Sequence, residues 1–265
     1  MITRFVRAAI LCTAAIVMSG CAAPGASPEA IARLAPGGKL RVGLVMDARE
    51  LVVPDAGSGE VRGPAMDLGR SMAARLGVAF EPVRFQNFAA LRAAANDGRW
   101  DVAFVDLAVA REAGMAPGPA LIQAEVAYLA PRESKLRSIA DVDQAGIRVA
   151  LVGRSGTDMV VGGEIRSAKL IRTPSTGHAL AQIRLVQAEA MADTRNVLLQ
   201  LSERFRQYAV LDGSAGTVRF ALVPARADPD SGAFLAAFTR EAVANGSVRA
   251  ALDAAKLRAV DVARD

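Results

Sequence analysis

Asp106 and Arg111 bracket the end of an apolar run, and both are residue types that grip small charged molecules. A guanidinium holds a carboxylate through two parallel hydrogen bonds. A carboxylate takes an ammonium, or pairs with a neighbouring arginine. The run before them, Val102-Ala103-Phe104-Val105, follows the turn signal Asn96-Asp97-Gly98 and reads as a buried strand. Ligands of open α/β sheets lie beyond the carboxyl ends of strands, so this strand end is a candidate floor for a small-molecule site. A strand leading into a helix with a solvated Arg111 fits the same residues. Ser155-Gly156-Thr157 is a second candidate, in a tight turn from a strand into a helix. The free N–H groups and dipole of a helix N-terminus suit an anion, and Ser155 and Thr157 serve equally well as plain caps. The turn has neither the Walker spacing nor the Gly-x-Gly-x-x-Gly fingerprint, so it is not a nucleotide loop. His178 is the sole histidine, and one histidine without a cysteine or carboxylate cluster is not a metal site.

A scaffold must hold these residues, and the hydrophobic pattern describes one. Residues 40–45 form a strand, and 52–63 a long turn-rich loop. Residues 64–76 carry Ala65, Leu68, Met72 and Leu76 on one helical face, stopped by Gly77. Residues 78–85 form a strand, and Asn87 caps a helix running to 95. With the strand that ends near Asp106 the order is β-α-β-α-β, which argues for a parallel sheet in an α/β domain. Trp100, the sole tryptophan, packs at the start of that strand. After the break at Pro117-Gly118-Pro119 the chain is extended over 125–130 and a second α/β series begins. It has a capping-box pattern at Ser138–Asp141, strands at 147–152, 170–172 and 189–192, a helix at 175–185 and an edge at 208–211. Residues 219–223 are extended again. Phe234, Leu235, Phe238 and Ala242 share the face of a helix ending at Asn245-Gly246, and a last helix covers 248–257.

Composition bounds the reading. Hydrophobic residues make up 52% of 265, enough for a sizeable core. Residues 1–21 have the form of an export signal: Arg4 and Arg7, then an apolar stretch from Ala8 to Met18 too short to span a bilayer. Met18-Ser19-Gly20-Cys21 has the small residues before cysteine of a bacterial lipobox, with Cys21 as the acylated N-terminus of the mature chain. Setting Arg4 and Arg7 aside leaves 30 basic and 27 acidic residues, scattered without a stripe, so there is no footprint for nucleic acid. Cys12 is the only other cysteine, so the mature chain has no disulfide. Residues 22–36, rich in Ala, Pro and Gly, read as a tether with a helical patch at 28–34.

Six phrases in order resemble one family. Gly38-Lys39-Leu40-Arg41-Val42-Gly43, Val61-Arg62-Gly63-Pro64-Ala65-Met66-Asp67-Leu68, Arg75-Leu76-Gly77-Val78 and Gly98-Arg99-Trp100-Asp101-Val102-Ala103 come first. Leu136 to Val142 with Ile147-Arg148-Val149-Ala150, and then Asn245-Gly246-Ser247-Val248, complete the set. Together they are similar to the bacterial family 3 extracellular solute-binding proteins, the periplasmic amino-acid-binding subunits of ABC importers. The resemblance implies a two-lobe α/β fold of the type II periplasmic-binding class, with two chain crossings and a ligand cleft between the lobes. Lobe I would be 37–121 plus 217–265, and lobe II 122–216. It further implies a monomer that takes a small, carboxylate-bearing ligand to an ABC permease, needs no cofactor, and touches the membrane only through lipid at Cys21.

The same resemblance assigns the site. Arg111 falls where the family binds the ligand's α-carboxylate, although Ala108-Val109-Ala110-Arg111 lacks the family's threonine and acid. Asp106 replaces a small residue and would take a ligand ammonium or pair with Arg111. Ser155 and Thr157 match the turn that receives the carboxylate from lobe II. An acid closing a later strand of lobe II takes the amino group, which falls at Asp193 or Thr194. Glu125, at the first crossing, is a further acid, facing either the cleft or solvent. The family's aromatic residues after the first strand are missing: 46–52 has none, and Arg49 and Glu50 would make that wall polar if they face inward. A dehydratase on the same fold, or a receptor serving a partner other than a permease, are the alternatives.

Overall fold

The computed structural model describes residues 26–55 and 57–264, so the signal segment 1–21 and Cys21 lie outside the described residues. Helix α1, Pro28–Leu34, starts at Ser27, whose hydroxyl accepts from the Ala30 N–H, and has proline in its first turn. Ala30 and Leu34 are buried in the main core, and α1 packs on a C-terminal helix. The helical part of the expected tether is therefore docked on the body. Strand β1, Lys39–Val45, leads into a stretch read as loop, where β2, Val53–Pro54, and β3, Val61–Arg62, form a short antiparallel hairpin. Helix α2, Pro64–Leu76, buries Ala65, Leu68, Met72 and Leu76 as the pattern requires and ends at Gly77, left-handed at φ 68°. Strand β4 is Ala79–Phe85, and α3, Phe88–Ala93, is capped by Asn87. Strand β5, Val102–Asp106, passes directly into α4, Leu107–Glu112. β4, β1 and β5 are parallel neighbours in that order.

The chain then crosses on β6, Ala120–Pro131. The second series is β7 (Arg148–Val152), α5 (Gly156–Glu164), β8 (Lys169–Thr173), α6 (Thr176–Arg184), β9 (Ala190–Thr194), α7 (Arg195–Arg204) and β10 (Tyr208–Val210). It returns on β11, Gly216–Pro224, and finishes with α8 (Pro229–Ala244), α9 (Ser247–Ala254) and β12 (Val260–Val262). Helix α7 and strand β12 carry no clear pattern in the sequence. α7 buries the adjacent residues Asn196, Val197 and Leu198 instead of a spaced stripe.

One sheet runs through both series in the order β4-β1-β5-β11-β6-β9-β7-β8. β6 spends its first half on β11 and β12 and its second half on β9 and β10. β11 pairs Gly216 to Phe220 with Val126 to Ile122, then Phe220 to Pro224 with Asp106 to Val102 of β5. These two strands are what joins the α/β halves. Among the described residues no helix is long and apolar enough to cross a membrane.

The start of β5 is fixed to β1 by a nearly buried ion pair. Asp101, 7% exposed, accepts from Arg41 Nε at 2.9 Å and from its backbone N–H at 2.8 Å, and meets Nη2 at 2.5 Å. Beside it the Trp100 indole, 1% exposed, donates to the Leu91 carbonyl at 2.9 Å. Asp101→Ala leaves Arg41 without its bidentate partner, so urea denaturation should show a loss of about 2–4 kcal/mol. A loss below about 0.5 kcal/mol would mean that Asp101 does not anchor the strand.

Candidate functional site

Four strand ends meet at the seam between the halves. Strand β1 leads to Asp47, Arg49 and Glu50, and β5 ends in Asp106. On the opposite side β7 leads to Ser155 and Thr157, and β9 ends in Asp193 and Thr194. This is where parallel strands of an open sheet deliver ligand contacts.

Glu50 lies in the seam, 5% exposed, and its Oε1 accepts a hydrogen bond from Thr194 Oγ1 of the other half. Next to it, Asn196 Nδ2 donates to the Arg49 carbonyl at 3.4 Å. Asp193, half-buried, accepts from the Thr194 N–H at 2.8 Å and from Thr176 Oγ1 at 2.9 Å. Asp106 is the N-cap of α4: Oδ1 accepts from the Val109 N–H at 2.9 Å. Its other oxygen, Oδ2, is buried and has no hydrogen-bond partner. That oxygen lies against the first turn of α5, where a Cβ placed on Gly156 would be 1.9 Å from it. Ser155 caps α5, accepting from the Asp158 N–H at 3.1 Å and donating to the Val152 carbonyl at 2.7 Å. Thr157 is buried in the same turn.

Two assigned residues are not drawn into this group. Arg111 stands exposed in the last turn of α4, and among the described residues no carboxylate pairs with it. The proposed Asp106–Arg111 pair does not form, because five residues of helix rotate a side chain by about 140° from the first and Asp106 turns to cap its own helix. Glu125 is exposed on β6 and is held by Arg195 Nε at 2.8 Å, so it is a solvent-facing hinge residue. His178 is exposed, with Nδ1 2.8 Å from Ser175 Oγ.

The seam is electrostatically one-sided. Burial lifts the Glu50 carboxyl to about 7, the charge of Asp193 adds to the rise, and the Thr194 hydroxyl only partly offsets it. Burial raises Asp193 to about 6 against the pull of the Thr194 N–H and the Thr176 hydroxyl, with Asp47 adding to the rise. Asp106 is also raised by burial, opposed by the Val109 and Ala108 N–H groups. Arg49 acts on Asp47 at the exposed rim. Glu50 was hard to find in the sequence because its partner, Thr194, is 144 residues away.

No protein-family model matches the sequence, and no curated protein matches it. Solved structures do. A mutant of ArgBP from T. maritima aligns with TM-score 0.69 and 20% identity over 85% of this chain and 98% of its own. AbpA from Streptococcus pneumoniae, an amino acid ABC transporter substrate-binding protein bound to L-arginine, aligns with TM-score 0.69 and 17% identity over 84% of this chain and 96% of its own. An ancestral amino acid-binding protein, a precursor of cyclohexadienyl dehydratase, aligns with TM-score 0.67 and 18% identity over 82% and 95%. The chain has the two-lobe periplasmic-binding fold.

The raised carboxyls give the seam a pH dependence of fixed sign. Between about 4.5 and about 7 the folded protein holds a proton on Glu50 that the unfolded chain has released. Stability therefore falls as pH rises through that window, by up to about 1.4 kcal/mol per pH unit for one proton. Chemical denaturation at several pH values should show this slope, and Glu50→Gln should flatten it. An unchanged slope in the glutamine protein would place the proton elsewhere.

Proposed function

We propose that this chain is the solute-capturing subunit of an ABC importer, closing two lobes on a small, positively charged solute of amino-acid size. The observation that carries this reading is the convergence of four strand ends on a seam where β6 and β11 carry the sheet from one half to the other. It is supported by the fold, which is similar to that of binding proteins holding L-arginine. Lobe I is taken as 37–121 plus 217–265 and lobe II as 122–216. Asp106, Glu50, Asp193, Thr194, Ser155 and Thr157 line the solute in this proposal. Arg111 and Glu125 are left out, one being exposed and the other held by Arg195. Capture requires only closure of the lobes, a hinge motion, and no cofactor. The mature chain is exported and lipid-anchored at Cys21, and hands its solute to a permease as a monomer.

A dehydratase-like enzyme is the second reading. It is favoured by the similarity to a dehydratase precursor and by two carboxyls, Glu50 and Asp193, whose protons leave near neutral pH. Titration calorimetry over amino acids, amines and organic acids, with mass spectrometry of the recovered solute, separates the two. Binding with the solute returned unchanged, weakened at least about tenfold in Asp193→Asn, is the expected result, and turnover would replace it with the enzyme. Labelled fatty acid should enter the full-length chain expressed in bacteria and fail to enter Cys21→Ser. Labelling of the serine protein would remove Cys21 as the anchor.

A further inference from the structure

The wall best suited to an anion is the N-terminus of α5. The first N–H groups of a helix have no helical acceptor, and the dipole there favours negative charge. A carboxylate of the chain itself is already present. Asp106 Oδ2 and its carboxyl carbon would lie 1.9 and 2.7 Å from a Cβ on Gly156, so only glycine admits them. Oδ1 is spent on the Val109 N–H, which ties the group to the β5–α4 junction and leaves Oδ2, buried and unpartnered, against α5. Glu50, 5% exposed, and Asp193 add negative charge across the seam, with hydroxyl and N–H partners but no cation. Arg195 is engaged with Glu125 and Arg172 with Asp158, Arg49 acts on Asp47 at the exposed rim, and Arg111 is exposed on α4.

We propose that Asp106 stands in for the carboxylate of an amino-acid-like ligand, so that the cleft selects an organic cation, an alkylammonium or guanidinium compound with no carboxylate of its own. The proposal rests on the reading of the chain as a solute-binding protein. A ligand carboxylate entering at α5 would meet Asp106 at contact distance, and like charges that close are strongly disfavoured. An ammonium or guanidinium instead supplies the charge that Asp106, Glu50 and Asp193 lack. Among the described residues no three acidic, cysteine or histidine side chains are grouped so that they could hold one metal ion.

Pairs of cations that differ only in the carboxylate test this directly: agmatine against arginine, and cadaverine against lysine, by titration calorimetry on the mature chain. In each pair that binds, the decarboxylated member should bind at least about tenfold more tightly, and Asp106→Ser should shrink or reverse the difference. Should the serine protein fail to fold, Asp106→Asn retains the cap acceptor and carries the same comparison. Arginine or lysine binding the unmodified protein as tightly as the amines would overturn the proposal. If neither pair binds but a neutral or anionic solute does, the proposal falls while the binding-protein reading stands. If no solute in the wider panel binds, both fall.

Discussion

The antiparallel pairing of β6 with β11 is the contact on which the rest of the molecule hangs. Each strand serves one half of the chain with one end and the other half with the other. The break in register between Phe220 and Ala221 falls where β11 leaves β6 and settles on β5. The largest apolar cluster runs through both halves, from Val42, Leu44 and Phe104 to Val149, Leu151 and Ala190, and a smaller one lies on either side of it, around Phe85, Leu91 and Trp100 in one half and Leu129, Ile183 and Met191 in the other. The halves therefore share part of their core as well as the two strands. The polar part of the contact between the halves is the seam where Glu50 meets Thr194 and Asp106 lies against Gly156.

Parallel strands explain why the polar residues gather there. β1 and β5 in one half run parallel to each other, as do β7 and β9 in the other, and all four turn into loops or helices at their carboxyl ends. Those ends carry Asp47, Asp106, the Ser155 turn and Asp193-Thr194. The interiors of the same strands are almost wholly apolar, so charge is expelled to the ends. The chain's stable ion pairs lie elsewhere, as with Arg41–Asp101 at the opposite end of β5. One end of the strand is built for stability and the other is left electrostatically unfinished.

How far the sequence discloses this follows from the range of each signal. Caps are local and were legible: Asn87, Gly77 and the Ser138–Asp141 box all form. Long apolar strands were legible for the same reason. The β2–β3 hairpin, α7 and β12 were not, since two- or three-residue strands and a helix burying adjacent residues have no period to detect. In the site, Asp106, Asp193, Thr194, Ser155 and Thr157 were recoverable because a strand end is a position in the chain. Arg111 and Glu125 depend on which way a side chain turns, which the rotation along α4 decides for Arg111 and the remote Arg195 for Glu125. Glu50 is offered by the sequence only on the condition that it faces inward, and its partner Thr194, far along the chain, is what decides that.

The balance at Asp106 shows which effect wins at the seam. An anion at a helix N-terminus gains typically about 0.3–1 kcal/mol, and N–H groups of α4 add to that. Yet burial still outweighs them and leaves the carboxyl raised, as it does for Glu50 and Asp193. The chain could have relieved the strain with one arginine from either half, and arginines are present nearby. Arg195 instead pairs with Glu125 and Arg172 with Asp158, while Arg111 is exposed and Arg49 acts on Asp47. The unbalanced charge is concentrated where the two halves meet, so whatever neutralises it stabilises that contact.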